Sequence, residues 1–161
     1  MKEIFKNLFI GTELDCSFTI SPDWSIVHAC KNPCHVNAVS YKGSLPSTHP
    51  NYLVMVKEEH LFLNIVDMEN ELSPFYTNPI MKSAIAFIEK HIATKKILIH
   101  CNQGLSRSPS IALLYLAIKG FIANDSYTDA VGDFRKMYPV FNPGRGISLY
   151  MNNNWGVIMT L

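Results

Sequence analysis

The sequence predicts a single α/β domain in which a central mixed β-sheet is flanked by helices, and three observations carry that expectation. The first half of the chain is rich in short β-prone runs. The second half alternates helix-periodic segments with one fully apolar triplet. A length of 161 residues, with 48% hydrophobic and 17% charged side chains, suits one compact core. One domain is therefore expected over residues 1–161.

Asn7 to Ile10 and Ser25 to Val27 read as short strands separated by turn-rich sequence, and Tyr52 to Val56 and Leu61 to Val66 as further β-prone runs. Between them, Cys30 to Pro50 holds Pro33, Gly43, Pro46 and Pro50, which predicts a long irregular connection and not a helix. Asn78-Pro79 matches an N-cap followed by proline at the first helical position, and Ile80, Ala84, Ile85, Ile88 and Ile92 then recur at helical spacing. Ile97-Leu98-Ile99 fits a fully buried strand. From Ser108 to about Lys119 the pattern is apolar almost all round, with Pro109 in the first turn and Gly120 at the close, which predicts a helix in the middle of the fold. Ser126 with Asp129 forms a loosened capping box for a helix whose inner face is Tyr127, Ala130, Val131, Phe134, Met137 and Tyr138, stopped by Pro139. After the turn Asn142-Pro143-Gly144, the residues Ile147, Tyr150, Met151 and Trp155 predict a last helix docked on the core.

A formal net charge of +1 offers no basic stripe for nucleic acid and no polybasic membrane patch, so any anion site must be local. The first ten residues carry Lys2, Glu3 and Lys6 and lack the apolar run of a signal peptide or membrane helix, which leads to an expected cytoplasmic location. Four cysteines, Cys16, Cys30, Cys34 and Cys101, are too sparse for a disulfide scaffold and suit a reducing compartment.

The chemistry concentrates in His100-Cys101-Asn102-Gln103-Gly104-Leu105-Ser106-Arg107-Ser108, between the buried strand and a helix N-terminus. The backbone N–H groups of such a turn and the helix dipole both aim positive partial charge at the bend, where an anion site forms readily. The same field favours the thiolate of a cysteine, which is the nucleophile. Gly104 lets the backbone curl without a side-chain clash. Arg107 brings a planar fork that grips two phosphate oxygens and follows them into the transition state, as lysine does not. The N–H groups of Asn102, Gln103, Gly104, Leu105, Ser106 and Arg107 are expected to bind the phosphate oxygens. Ser108 is expected to donate a hydrogen bond to the Cys101 sulfur, and His100 to fix the loop by bonding nearby carbonyls. A lone free cysteine is ordinarily core. Cysteine, glycine three on, arginine six on and serine seven on, at one strand-to-helix turn, point instead to a nucleophile in an anion cradle.

This segment resembles the active-site signature of the cysteine-dependent protein phosphatases: His-Cys, five residues, then Arg followed by Ser or Thr. Gly104 to Ser110 and the following Leu114-Tyr115-Leu116-Ala117 look most like the dual-specificity branch, where Ala-Tyr-Leu-Met is frequent. Asn142-Pro143-Gly144 is similar to a Pro-Asn turn of that branch, and Leu8-Phe9-Ile10-Gly11 to its first strand. The resemblance implies a dual-specificity phosphatase-like fold and a phosphorylated protein as substrate. It also implies a cysteinyl-phosphate intermediate on Cys101 and no metal or cofactor.

A carboxylic acid must protonate the leaving oxygen. Asp67 follows a strand-like run and lies 34 residues before Cys101, close to the offset of the general acid in that branch, with Glu69 and Glu71 as rivals. No tyrosine-containing recognition loop is found, so a shallow pocket admitting phosphotyrosine together with phosphoserine and phosphothreonine is expected. Inositol-lipid or RNA 5′-phosphate substrates are the alternative within the class, set back because the variable loop positions carry no lysine. A non-catalytic phosphoprotein-binding module is the alternative outside it. A monomer is expected.

His28, Cys30, Cys34 and His35 supply zinc-ligand types at poor spacing, with only Cys16 and His49 as distant complements, so a loop with ordinary thiols is favoured. Protection of oxidised Cys101 by Cys30 or Cys34 is a further reading. Arg145 reads as a solvated turn residue, His49, His60 and His91 as surface residues, and Trp24 and Trp155 as core.

Overall fold

The computed structural model describes residues 1–19 and 21–161. Six strands, β1 (Lys2–Phe5), β2 (Leu8–Gly11), β3 (Trp24–His28), β4 (Val54–Lys57), β5 (His60–Leu63) and β6 (Lys96–His100), form one sheet in the order β1-β2-β6-β3-β5-β4. The inner strands β2, β6, β3 and β5 are parallel, and the edge strands β1 and β4 join by antiparallel hairpins. Both hairpin turns place a non-glycine residue in the left-handed region, Asn7 at φ 64° and Glu58 at φ 53°, as tight turns between twisted strands require. The first strand has no counterpart among the predicted elements. Only Ile4 of its four residues is buried, so it shows no alternation strong enough to read.

β6 sits at the centre, buried from Ile97 to His100, which explains an apolar run without alternation. The period of two still sorts its side chains. Ile97, Ile99 and Cys101 belong to the main hydrophobic core, as do Val27, Ala29, Leu61 and Leu63 from the neighbouring strands. Leu98 and His100 point to the opposite face. Register then aligns His28 with His100 and with Phe62, so β6, β3 and β5 carry a row of aromatic and imidazole rings away from Cys101.

The helices are α1 (Val36–Val39), α2 (Pro74–His91), α3 (Arg107–Ile118), α4 (Tyr127–Met137), α5 (Arg145–Asn153) and α6 (Trp155–Ile158). α2 and α3 pack side by side against the sheet, and α4 covers α3. As the all-round apolar pattern predicts, α3 is buried from Arg107 through Ala117. Leu114, with no exposed surface, is a measure of that layer: Leu114→Ala is expected to cost about 2–5 kcal/mol of stability, read as a lowered urea midpoint at unchanged slope. Gly120 closes the helix at φ 69°, and Ser126 caps α4 by accepting from Asp129 N at 3.1 Å.

Two expectations are corrected. α2 begins at Pro74 after Ser73, one turn earlier than the predicted start, and Pro79 lies inside it. Pro74 takes the favourable first position, and Asn78, instead of capping, accepts a hydrogen bond from Tyr150 Oη at 2.7 Å. The segment after Cys30 is also not wholly irregular. A wide turn over Lys31–His35, containing a cis Asn32-Pro33 bond, runs into the single-turn helix α1.

Candidate active site

β6 delivers Cys101 to the mouth of the loop, and α3 begins six residues later with Arg107. Cys101 is 2% exposed. Its sulfur accepts from Gly104 N at 3.3 Å and from Ser108 Oγ at 3.2 Å, so the serine contact read from the sequence is present. The curl needs its glycine: Gly104 has φ +72°, and a Cβ there would lie 3.0 Å from the Gly11 carbonyl oxygen at the end of β2. Ser106 precedes α3 without capping it. Free N–H groups of the first turn therefore remain directed at the loop.

Arg107, 8% exposed, is held on three sides. Its Nη1 donates to the Ile65 carbonyl at 3.3 Å and its Nη2 to Asn102 Oδ1 at 2.7 Å. Nε lies 2.7 Å from Asp67 Oδ2, an ion pair whose N–H is not aligned on the oxygen as a hydrogen bond. Ser106 Oγ donates to Asp67 Oδ1 at 2.7 Å and accepts from Gly144 N at 2.9 Å. Asp67 is thus brought onto the loop, as its position in the sequence suggested. Of its rivals, Glu71 accepts from Asn153 and Asn154 at 3.0 and 3.1 Å, and Glu69 is exposed.

A cavity of about 230 Å³ is enclosed by Asp67, Cys101, Arg107 and the loop. It suits a phosphate and the tip of a side chain rather than a whole small molecule. Gln103 and Leu105 line its mouth, while the Asn102 side chain is spent on the scaffold, donating to Glu13 Oε2 at 2.9 Å and the Asn32 carbonyl at 3.1 Å.

His100 departs from expectation. Instead of bonding loop carbonyls, its Nε2 pairs with His28 Nδ1 at 2.7 Å, and Nδ1 has no aligned partner. Burial pushes its pKa down to about 4, partly opposed by the Cys101 backbone, and burial with the neighbouring His100 and His60 takes His28 to about 2. Both rings are neutral at pH 7.

Several supporting contacts carried no signal in the sequence. Tyr138 Oη donates to the Gly104 carbonyl at 3.0 Å, and Asn142 N donates to the Leu105 carbonyl at 2.9 Å. Gly146 N donates to the Met68 carbonyl at 2.8 Å while its own carbonyl accepts from Leu72 N at 3.2 Å. A Cβ on Gly146 would collide with the carbonyl oxygens of Asn70 and Met68, so Gly146→Ala is expected to displace the Asp67 loop. Turnover of an aryl phosphate should fall by about tenfold or more, with phosphate affinity at the Arg107 loop largely kept, as isothermal titration would show.

No family model matches the chain. A tyrosine-protein phosphatase of Caenorhabditis elegans, vhp-1, is 32% identical over 117 residues, covering 70% of this chain and 15% of that protein; the chain thus spans only a small part of the curated relative it matches. Among solved structures, the human tyrosine phosphatase-like serine/threonine/tyrosine-interacting protein superposes with TM-score 0.63 at 19% identity, over 100% of this chain and 98% of the other. PTPMT1 in complex with PI(5)P superposes with TM-score 0.61 at 14% identity, over 99% and 96%. The chain belongs to the cysteine-dependent phosphatase superfamily, and its fold is that of the dual-specificity phosphatases. No described helix is long and apolar enough to cross a membrane.

Proposed function

We propose that the chain hydrolyses phosphate monoesters on protein side chains by way of a cysteinyl phosphate. The observation that carries this reading is the convergence of Gly104 N, Ser108 Oγ, Arg107 and Asp67 on the pocket that holds the Cys101 sulfur. In the first step the sulfur attacks phosphorus. The S–P bond forms as the bond to the side-chain oxygen breaks. Asp67, which takes up a proton from solvent once the substrate phosphate has displaced it from Arg107, gives that proton to the leaving oxygen. In the second, water attacks phosphorus and passes its proton to Asp67, and the S–P bond breaks with Ser108 donating to the departing sulfur. Arg107 and the loop N–H groups hold the equatorial oxygens throughout. Substrate phosphate takes over the guanidinium face that Asp67 occupies at rest.

The small, open pocket favours phosphorylated tyrosine, serine and threonine over larger substrates. Phosphopeptides bearing each residue, run beside inositol phosphates and an RNA 5′-phosphate, test this: faster turnover of the peptides supports it, and preference for either of the others moves the substrate class. An absence of turnover with retained phosphopeptide binding would leave a binding module. Asp67→Asn is expected to lower kcat on phosphopeptides by about 10²–10⁴. An unchanged rate would give the acid role to Glu69, since Glu71 is engaged elsewhere.

A further inference from the structure

The thiols and imidazoles that phosphate hydrolysis leaves unused gather on the sheet face opposite Cys101. Strand register puts them there. His28 lies beside His100, and Cys30, two residues beyond His28, continues the alternation to the same face. The wide turn over Lys31–His35 then returns Cys34 to the group. Among the described residues, the ligand atoms of Cys30, Cys34 and His100 all lie within 4.8 Å of one another, as do those of Cys16, His28 and His100.

The spacing in the sequence is poor for a metal because no second ligand pair follows at zinc spacing, and in the fold the nearby candidate His35 turns away to the Asn51 carbonyl at 2.9 Å. The ligand that completes the group is His100, far along the chain. His100 has no exposed surface, and its Nδ1 lacks a hydrogen-bond partner. Its Nε2 is 2.7 Å from His28 Nδ1, and His28 Nε2 is 2.9 Å from His60 Nδ1. Two proton assignments satisfy both links. One directs an N–H of His100 toward the Cys101 backbone. The other, in which His100 donates to His28 and His28 to His60, leaves His100 Nδ1 a lone pair for an ion, and metal binding would select it. A ligating histidine has this form, with its second nitrogen held by a partner. An open cavity of about 630 Å³, lined by Cys16, His28, Cys34 and His100 and flanked by Glu13 and Lys57, gives an entry path.

We propose that Cys30, Cys34 and His100 bind a soft divalent cation of the zinc class, with a fourth position left to water or Cys16 from the cavity. Zinc bonds of about 2.3 Å to sulfur and about 2.0–2.1 Å to nitrogen separate tetrahedral ligand atoms by about 3.3–3.8 Å. The triad closes on an ion with shifts on the order of an ångström. Each thiol loses a proton to solvent as its metal–sulfur bond forms, the two thiolates neutralise the ion, and no oxidation state changes. Two sulfurs and an imidazole select zinc or cadmium over magnesium or calcium. The site borders the phosphate loop, since His100 adjoins Cys101 and Asn102 donates to the Asn32 carbonyl, but its ligands take no part in the proposed hydrolysis and metal binding stands independently of it.

The test uses the full chain carrying Cys101→Ser, which removes the active-site thiol as a competing ligand. After chelation and reduction it is titrated with Zn²⁺ against a chromophoric chelator, and separately with Cd²⁺. One Zn²⁺ per chain, a raised Tm and the ultraviolet thiolate-to-cadmium band of two sulfurs are expected. Cys34 is only partly buried, so Cys34→Ser should fold and lose affinity by about tenfold or more, with the band halved, while Cys16→Ser keeps both sulfurs. Zn²⁺ should also shield the partly exposed Cys34 of the parent from iodoacetamide, read by mass spectrometry. Sub-stoichiometric binding, a folded Cys34→Ser chain that binds like its parent, or alkylation indifferent to Zn²⁺ overturns the proposal. Should Cys34→Ser fail to fold by circular dichroism, the alkylation result on the parent decides.

Discussion

Cys101→Ser is expected to lower kcat for an aryl phosphate by about 10⁴–10⁶ while the chain stays folded and still binds phosphopeptide. The substitution removes one chemical property and little else. A serine oxygen is smaller than sulfur and sits on a shorter bond, so it fits the same place without a clash, and the Gly104 N and Ser108 Oγ donors remain in place around it. The hydroxyl is a far weaker nucleophile at neutral pH, and an oxygen–phosphorus bond, once made, breaks less readily. Stopped-flow turnover together with fluorescence anisotropy of a labelled phosphopeptide separates the two effects. Turnover within tenfold of the parent would move the nucleophile away from Cys101 and remove the basis of the proposed mechanism.

Arg107→Ala is expected to cost about 10³–10⁵ in kcat/KM, the scale of an arginine that stabilises charge on a transferring phosphoryl group. Arg107→Lys should recover little of it. The fork is held open by the Ile65 carbonyl and by Asn102 Oδ1 at 3.3 and 2.7 Å, a geometry that a single ammonium cannot reproduce. The side chain is buried, so the alanine variant also leaves Asn102 Oδ1 and Asp67 Oδ2 without their partner, and some loss of Tm should accompany the loss of activity. Vanadate binding distinguishes the causes: it should weaken greatly in both variants even where melting temperatures stay close. A lysine variant as active as the parent would show that charge alone suffices.

Legibility in the sequence followed the range of the interactions. The strand-to-helix turn at Cys101, the buried β6 and the apolar α3 were readable because each is specified by neighbours along the chain. The same holds for the Ser126 cap. Asp67 was readable only through its offset from Cys101 in a resemblance, and its contacts with Ser106 and Arg107 agree with that placement. The start of α2 was misread because two prolines compete for one position, and the choice between Pro74 and Pro79 is made by packing. The contacts of Tyr138, Asn142 and Gly146 with the site were invisible, since they run to backbone groups far away in sequence and leave no pattern. His100 shows the same limit from the other side. Its ring was expected to serve the loop, yet strand register, a tertiary property, hands it to His28.

The ion pair between Asp67 and Arg107 has one more effect on how the resting molecule meets small anions. Asp67 is its own tethered competitor for the guanidinium, and every incoming oxyanion must first displace that carboxylate. Because Asp67 is substantially exposed, water and salt weaken the competition, and its worth is at most about 1 kcal/mol. Removing the negative charge in Asp67→Asn should therefore tighten inorganic phosphate binding by up to about fivefold, and added salt should narrow the gap between variant and parent. The slowest of the variants at protonating a leaving group would then be the readier one to hold the product.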